Sequence, residues 1–278
     1  MVDADLSGYF DSIPHAELMQ CVARRVSDKA LLHIVKQWLV MPVEETDARD
    51  RVQRTTRNKD TRRGTPQGAP ISPLLANLYM RRFVLGWKTL GHQERFQARI
   101  VNYADDFVIL CRRRADVALT TMRDMMGRLK LTVNEAKTHV CGLPAESFDF
   151  LGYTFGRMYS PRTGGAYLGA RPSRKKTLGV CHEINQLVSK LPTFIRPEAL
   201  VFQVNQVVRG WANYFAYGTI TPAYRIVHRH VCRRVRRWLR RKFEDRGQGY
   251  HQYPDSKLET LGLLNPAKLP RRYSWAKA

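Results

Sequence analysis

Two adjacent carboxylates, Asp105 and Asp106, stand between short apolar runs. Ile100-Val101 precedes them and Phe107-Val108-Ile109-Leu110 follows, with Tyr103-Ala104 leading in. The flanks are β-branched or bulky, and each is long enough for a strand. The pattern predicts a hairpin with both acids at its tip. Side-by-side carboxylates repel unless a cation lies between them or one keeps its proton. A third acid has a similar setting. Asp5 follows Val2 and precedes Leu6-Ser7-Gly8-Tyr9-Phe10-Asp11, a strand running into a turn. Three carboxylates on strand ends are what a two-Mg²⁺ phosphoryl-transfer site needs. Hard cations take oxygen ligands, and paired ions ~3.5–4 Å apart clamp the attacking and leaving oxygens.

Between the acids lies Arg63-Gly64-Thr65-Pro66-Gln67-Gly68-Ala69-Pro70-Ile71-Ser72-Pro73-Leu74-Leu75-Ala76-Asn77. Its Gly and Pro residues force a turn, and Pro73 falls near a helix start, where its missing N–H costs nothing. Downstream come Asn134-Glu135-Ala136-Lys137-Thr138, Phe148-Asp149-Phe150-Leu151-Gly152-Tyr153 and Arg209-Gly210-Trp211-Ala212-Asn213-Tyr214-Phe215. In this order the motifs resemble those of the group II intron reverse transcriptases, also called maturases. The resemblance covers nearly the whole chain. The ordered set is far more specific than the four residues around Asp105 alone.

The resemblance implies an α+β fold. A right-hand polymerase palm, an antiparallel sheet with flanking helices, would occupy residues 1–170. An all-α three-helix thumb, the maturase-specific part, would occupy 171–245, and a basic C-terminal segment 246–278. It implies an RNA-directed DNA polymerase that also assists RNA splicing, using two Mg²⁺ ions. The partners would be the group II intron RNA, an RNA template with a DNA primer, and dNTPs. Asp5 and Asp105 would ligate both metals, with Asp106 contributing less directly; Asp3 and Asp11 read as structural or solvent-facing. Phe10 would stand beneath the incoming sugar and exclude a 2′-OH, or else serve only the core. Gln67 and Gly68 would touch template and nascent base pair, through amide hydrogen bonds and close backbone approach, or form a purely structural turn. Lys137 would act near the pyrophosphate leaving group, or be simply solvated. Residues 150–153 would form the primer-holding hairpin, or pack as ordinary core. The alternatives to an enzyme are an RNA-binding splicing cofactor with an unused palm and a truncated mobile-element remnant.

Charge supports a polyanionic partner. The chain holds 47 Lys and Arg against 24 Asp and Glu, a formal +23. The excess is concentrated: residues 171–242 carry 16 basic residues and two acids, Glu183 and Glu198. One predicted helix with the apolar stripe Val231, Val235, Trp238 and Leu239 also carries Arg229, Arg233, Arg234, Arg236, Arg237, Arg240 and Arg241. With no acidic i,i+4 partners among them, self-repulsion is costly unless phosphates are near. All seven are candidate nucleic-acid contacts. The five cysteines form no C-x-x-C pair, which argues against a zinc site or disulfide framework and fits reduced thiols in the cytoplasm. No apolar run is long enough to span a membrane, and no signal-peptide pattern opens the chain.

Apolar periodicity predicts helices around 18–26, 31–39, 74–90 and 115–130, then three more after residue 170. Residues 44–63 read as an exposed loop or ribbon. Short strands near 138–141 and 148–151 would complete one antiparallel sheet, and Pro161-Arg162-Thr163-Gly164-Gly165 reads as a hairpin tip. Only four residues precede Asp5, where the resemblance implies a fingers region whose basic residues grip the triphosphate. The expectation is a chain lacking that region and also lacking the family's zinc-containing endonuclease, since no cysteine follows Cys232.

Overall fold

The computed structural model describes residues 1–46, 51–160 and 162–270. The chain divides into two compact units, Met1–Gly142 and Leu143–Ala278.

The first unit opens with β1 (Val2–Ala4), α1 (Tyr9–Ser12), α2 (His15–Ala23) and α3 (Lys29–Val40). A ribbon of β2 (Val43–Thr46) and β3 (Val52–Thr55) follows, then α4 (Arg57–Thr61), α5 (Ser72–Thr89) and α6 (His92–Arg95). Strands β4 (Ala98–Tyr103) and β5 (Asp106–Cys111), helix α7 (Ala115–Arg128) and β6 (His139–Val140) complete it. The sheet order is β4-β5-β1-β6, with every pair antiparallel. Register places Val2 opposite Ile109 and Ala4 opposite Phe107, and all four are buried. Strand alternation sends them to one face, where α5 covers the sheet: the Phe83 and Phe107 rings lie 5.4 Å apart. Burying each such large side chain contributes about 1.5–3 kcal/mol. Helix α5 starts where the sequence predicts. Ser72 Oγ donates to Pro66 O at 2.6 Å and closes the preceding turn. The hydroxyls of Tyr9 and Tyr79 are carried into the core because each donates to a carbonyl, Ala76 O at 2.6 Å and Leu129 O at 2.8 Å.

The second unit begins with β7 (Phe148–Phe150), β8 (Tyr153–Tyr159) and β9 (Ala166–Pro172), paired antiparallel in that order. Helices α8 (Arg174–Lys190), α9 (Pro197–Tyr214), α10 (Thr221–Phe243) and α11 (Asp255–Thr260) follow. Ser173 caps α8 by accepting from Lys176 N at 3.3 Å, satisfying one orphan donor of the first turn. Val180, Ile184 and Val188 of α8 meet Leu200, Val204 and Val208 of α9 and Val231, Val235 and Trp238 of α10.

Three features differ from the sequence reading. Phe148–Phe150 does not extend the sheet bearing the acids. Leu151 (φ 50°) and Gly152 (φ 79°) form a two-residue reversal that pairs β7 with β8 instead, as left-handed turn residues favour. The compact units divide at Gly142, earlier than the change of character near residue 170. The β7–β9 sheet lies in the helical unit because Gly218 presses against it: a Cβ there would sit 2.1 Å from Ala170 O, so only glycine permits the approach. Finally, the loop-rich tail contains α11, and Tyr253, Leu258 and Leu263 enter the helical core. The β8–β9 connection is a hairpin, although Pro161 of the expected tip lies outside the described residues, as do 47–50 of the charged ribbon and 271–278 of the basic tail.

Candidate active site

The sheet order puts β1 directly beside β5, so the end of β1 and the β4–β5 turn meet. That turn is two residues long, Ala104 and Asp105, between the paired Tyr103 and Asp106. Ala104 takes φ 55°, a left-handed conformation costing a non-glycine residue about 1–2 kcal/mol. Strain of this kind concentrates at functional sites.

A cavity of about 660 Å³ opens here, lined by Asp5, Phe10, Gln67, Gly68, Asp105 and Lys137 among others. Six of the residues singled out in the sequence therefore share one surface. Asp106 does not line it. As the first residue of β5 it reaches solvent, because adjacent strand positions point to opposite faces. Its carboxyl is nonetheless pushed upward, first by the surrounding protein and then by the charges of Asp105 and Asp5, with Lys137 pulling the other way.

Lys137 Nζ stands 3.1 Å from Asp5 Oδ2. Asn134 Nδ2 donates to the same oxygen at 3.0 Å, and Asn134 N donates to Asp5 O at 2.9 Å. The Asp5 N–H donates to Thr138 Oγ1 at 3.3 Å. The segment leading into β6 thus clamps the first acid on both sides. Asn134 was visible only as a member of its motif; a carboxamide three residues before the lysine carried no signal of its own.

Phe10 packs partly into the core and meets Tyr9 edge to face at 5.8 Å. Its remaining surface faces the cavity. Gln67 Nε2 donates to both carboxylate oxygens of Asp11, at 3.1 and 3.2 Å. Asp11, read from sequence as structural or solvent-facing, holds Gln67. Gly68 has φ 85° with nothing near its missing side chain. Backbone conformation, not crowding, calls for glycine there.

Among the described residues no three His, Cys, Asp or Glu side chains already converge as a metal cage. Asp5 and Asp105 do offer an all-oxygen donor pair on one cavity wall. Both charges push the Asp106 carboxyl upward, and a hard divalent cation beside them would relieve that repulsion.

The seven arginines of α10 divide into three groups. Arg229, Arg233, Arg237 and Arg241 are exposed, and their i,i+4 spacing makes one ridge. Arg234 and Arg240 are half-buried, each with an enclosed Nε that has no hydrogen-bond partner among the described residues. Arg236 corrects the sequence reading. It is 4 % exposed, its Nε donates to Tyr253 O at 2.8 Å, and its Nη2 pairs with Asp255 at 2.6 Å. Its guanidinium also lies over the Tyr250 ring at 4.3 Å. Arg236 anchors the C-terminal segment to α10, and the acid that satisfies it lies outside the helix.

Residues 1–155 match the family Reverse transcriptase (RNA-dependent DNA polymerase), and residues 180–253 match Group II intron, maturase-specific domain. The chain belongs to the reverse transcriptase family, and its second unit carries the match to the group II intron maturase-specific domain. It is 26 % identical over 184 residues to Protein YkfC of Escherichia coli (strain K12), covering 55 % of this chain and 46 % of that protein. It is 31 % identical over 90 residues to the group II intron-encoded protein LtrA of Lactococcus lactis subsp. cremoris, covering 31 % of this chain and 14 % of LtrA. A structure of telomerase from Candida tropicalis in complex with a telomeric RNA fragment aligns with TM-score 0.44 and 8 % identity, covering 94 % of this chain and 48 % of that one. The chain spans less than half the length of the curated relatives it matches. No described helix is long and apolar enough to cross a membrane.

Proposed function

We propose that the first unit catalyses RNA-templated DNA synthesis for a group II intron, and that the second holds RNA, including the intron whose splicing it assists. The observation that carries this reading is the shared cavity, where Asp5, Asp105, Lys137, Phe10, Gln67 and Gly68 meet. Asp5 and Asp105 would hold two Mg²⁺ ions, with Asp106 adding negative charge beside them. When bound, the ions activate the primer 3′-OH and offset charge on the leaving pyrophosphate. Lys137 stabilises charge developing on the pyrophosphate or supplies its proton. Phe10 fills the space beneath the sugar and rejects a 2′-OH. Gly68 lets the nascent base pair approach the backbone, and Gln67, steadied by Asp11, orients the template base. The exposed ridge Arg229, Arg233, Arg237 and Arg241 contacts phosphates.

Single-turnover extension of a DNA primer on an RNA template tests the reading. Asp105→Asn keeps the shape and removes one charge, so product formation falls by orders of magnitude while RNA affinity changes little. Near-normal extension by that variant overturns the assignment.

A further inference from the structure

A second cavity, of about 810 Å³, opens among α2, α3 and α4 of the first unit. Its rim carries Lys36, Lys59, Arg62, Arg63 and Lys130, while Met19, Leu39 and Val40 supply apolar lining. Glu17 is the acid in the lining, and it is spent on Lys130. Lys36, Lys59 and Arg62 are exposed and have no carboxylate partner among the described residues. Uncompensated cations gathered around one concavity repel each other unless an anion enters it.

Arg62 adds a second observation. It ends α4 with φ 52°, and its carbonyl accepts from His15 N at 3.0 Å, so the backbone is fixed in a left-handed conformation. Glycine or asparagine would suit that backbone better; an arginine there bears about 1–2 kcal/mol of strain. Its side chain is what the position retains, and that side chain stands on the cavity rim. The combination of cationic rim and apolar wall suits a nucleotide, with phosphate on the first and base on the second. It suits an isolated inorganic anion less well.

The same loop borders both cavities: Arg62 and Arg63 line this one, Gln67 and Gly68 the aspartate cavity. Arg63 and Gln67 are four positions apart, a reach of at most ~14 Å. A strand rising ~3.4 Å per nucleotide covers that in about four nucleotides. We infer that the basic cavity holds the phosphate backbone of the single-stranded RNA template within a few nucleotides of the catalytic carboxylates. This rests on the polymerase reading of the aspartate cavity.

Fluorescence anisotropy across a salt series tests it, with a primer–template carrying a single-stranded RNA overhang and a blunt RNA–DNA duplex as control. The triple variant Lys36→Gln, Lys59→Gln, Arg62→Gln binds the overhang substrate at least about tenfold more weakly. Its log-affinity slope against log salt becomes shallower by about 2, at about 0.7 per lost contact. Blunt-duplex binding is unchanged, and the charge-keeping set Lys36→Arg, Lys59→Arg, Arg62→Lys restores the overhang preference. An unaltered slope, or equal weakening on both substrates, overturns the template path. Photocrosslinking from the primer 3′ end reports separately on the aspartate cavity. Crosslinks to residues 67–70 with an unaltered triple variant sink the template path alone; no crosslink there and an unaltered variant sink the polymerase reading with it.

Discussion

Lys137 Nζ and Asn134 Nδ2 converge on a single oxygen, Asp5 Oδ2, at 3.1 and 3.0 Å. The lysine therefore occupies the electrostatic position that a metal ion would share. Removing it should have two opposite effects. Lys137→Met raises Mn²⁺ affinity several-fold by calorimetry, because a competing positive charge is gone. The same variant slows nucleotide transfer about a hundredfold at saturating metal, because charge on the leaving group loses its partner. A variant with weaker metal binding and unchanged rate would place Lys137 outside the chemistry.

The Gln67–Asp11 pair makes a separate prediction. Asp11 sits half-exposed on the short helix α1, and its side chain steadies Gln67. Asp11→Ala should change stability by no more than about 1 kcal/mol. The KM for dNTP should rise about tenfold as the template base loses its fixed neighbour. Urea unfolding and steady-state kinetics check the two halves independently.

The arginines of α10 should separate by burial. Arg233→Gln, Arg237→Gln and Arg241→Gln together leave the fold intact and flatten the salt dependence of RNA binding by about 2 in log–log slope for single-stranded RNA. Arg236→Gln does the reverse. It leaves the slope alone and costs about 2 kcal/mol of stability, a figure held down by the 68 % exposure of the Asp255 side chain. If Arg236→Gln flattens the slope without destabilising, its placement as an anchor is wrong.

His15 gives the first unit a pH-dependent term. Its ring is buried and its Nε2 lies 2.7 Å from Gly64 O, so the neutral Nε2–H tautomer donates. Burial lowers its pKa below the ordinary 6.5, outweighing the carbonyls of Gly64 and Arg63, which raise it. The unfolded chain then binds the proton more readily. The stabilisation is complete above about pH 6.5 and is lost as pH falls through the folded value. Unfolding free energies on either side of that window should differ in the parent and differ less in His15→Gln.

The sequence displayed most of what local pattern encodes. The Asp105–Asp106 hairpin, the start of α5 at Ser72 and the three long helices of the second unit follow from periodicity and turn chemistry. It could not show which strands become neighbours. The partner of Phe148–Phe150 depended on the Leu151–Gly152 reversal, and the unit that β8 and β9 join depended on the approach of Gly218 to Ala170. In the site, residue types with a recognisable spacing were legible. Asn134, Thr138 and Asp11 were not, because their roles arise from distant segments meeting Asp5 and Gln67. Arg236 was misread because its counter-ion, Asp255, lies beyond the helix that carries it.

The most direct test of the account is the position of the metal itself. Fe²⁺ can take the place of Mg²⁺ at all-oxygen sites and, with peroxide, cleaves the backbone beside it. Mapping those cuts should show them foremost at residues 5–8, 104–106 and 134–137, the segments of the cavity lining that carry or contact its carboxylates. Asp105→Asn should abolish them, and excess Mg²⁺ should suppress them in the parent. Cuts only at segments outside this cavity, or cuts indifferent to Asp105→Asn, would contradict a metal-dependent polymerase site here.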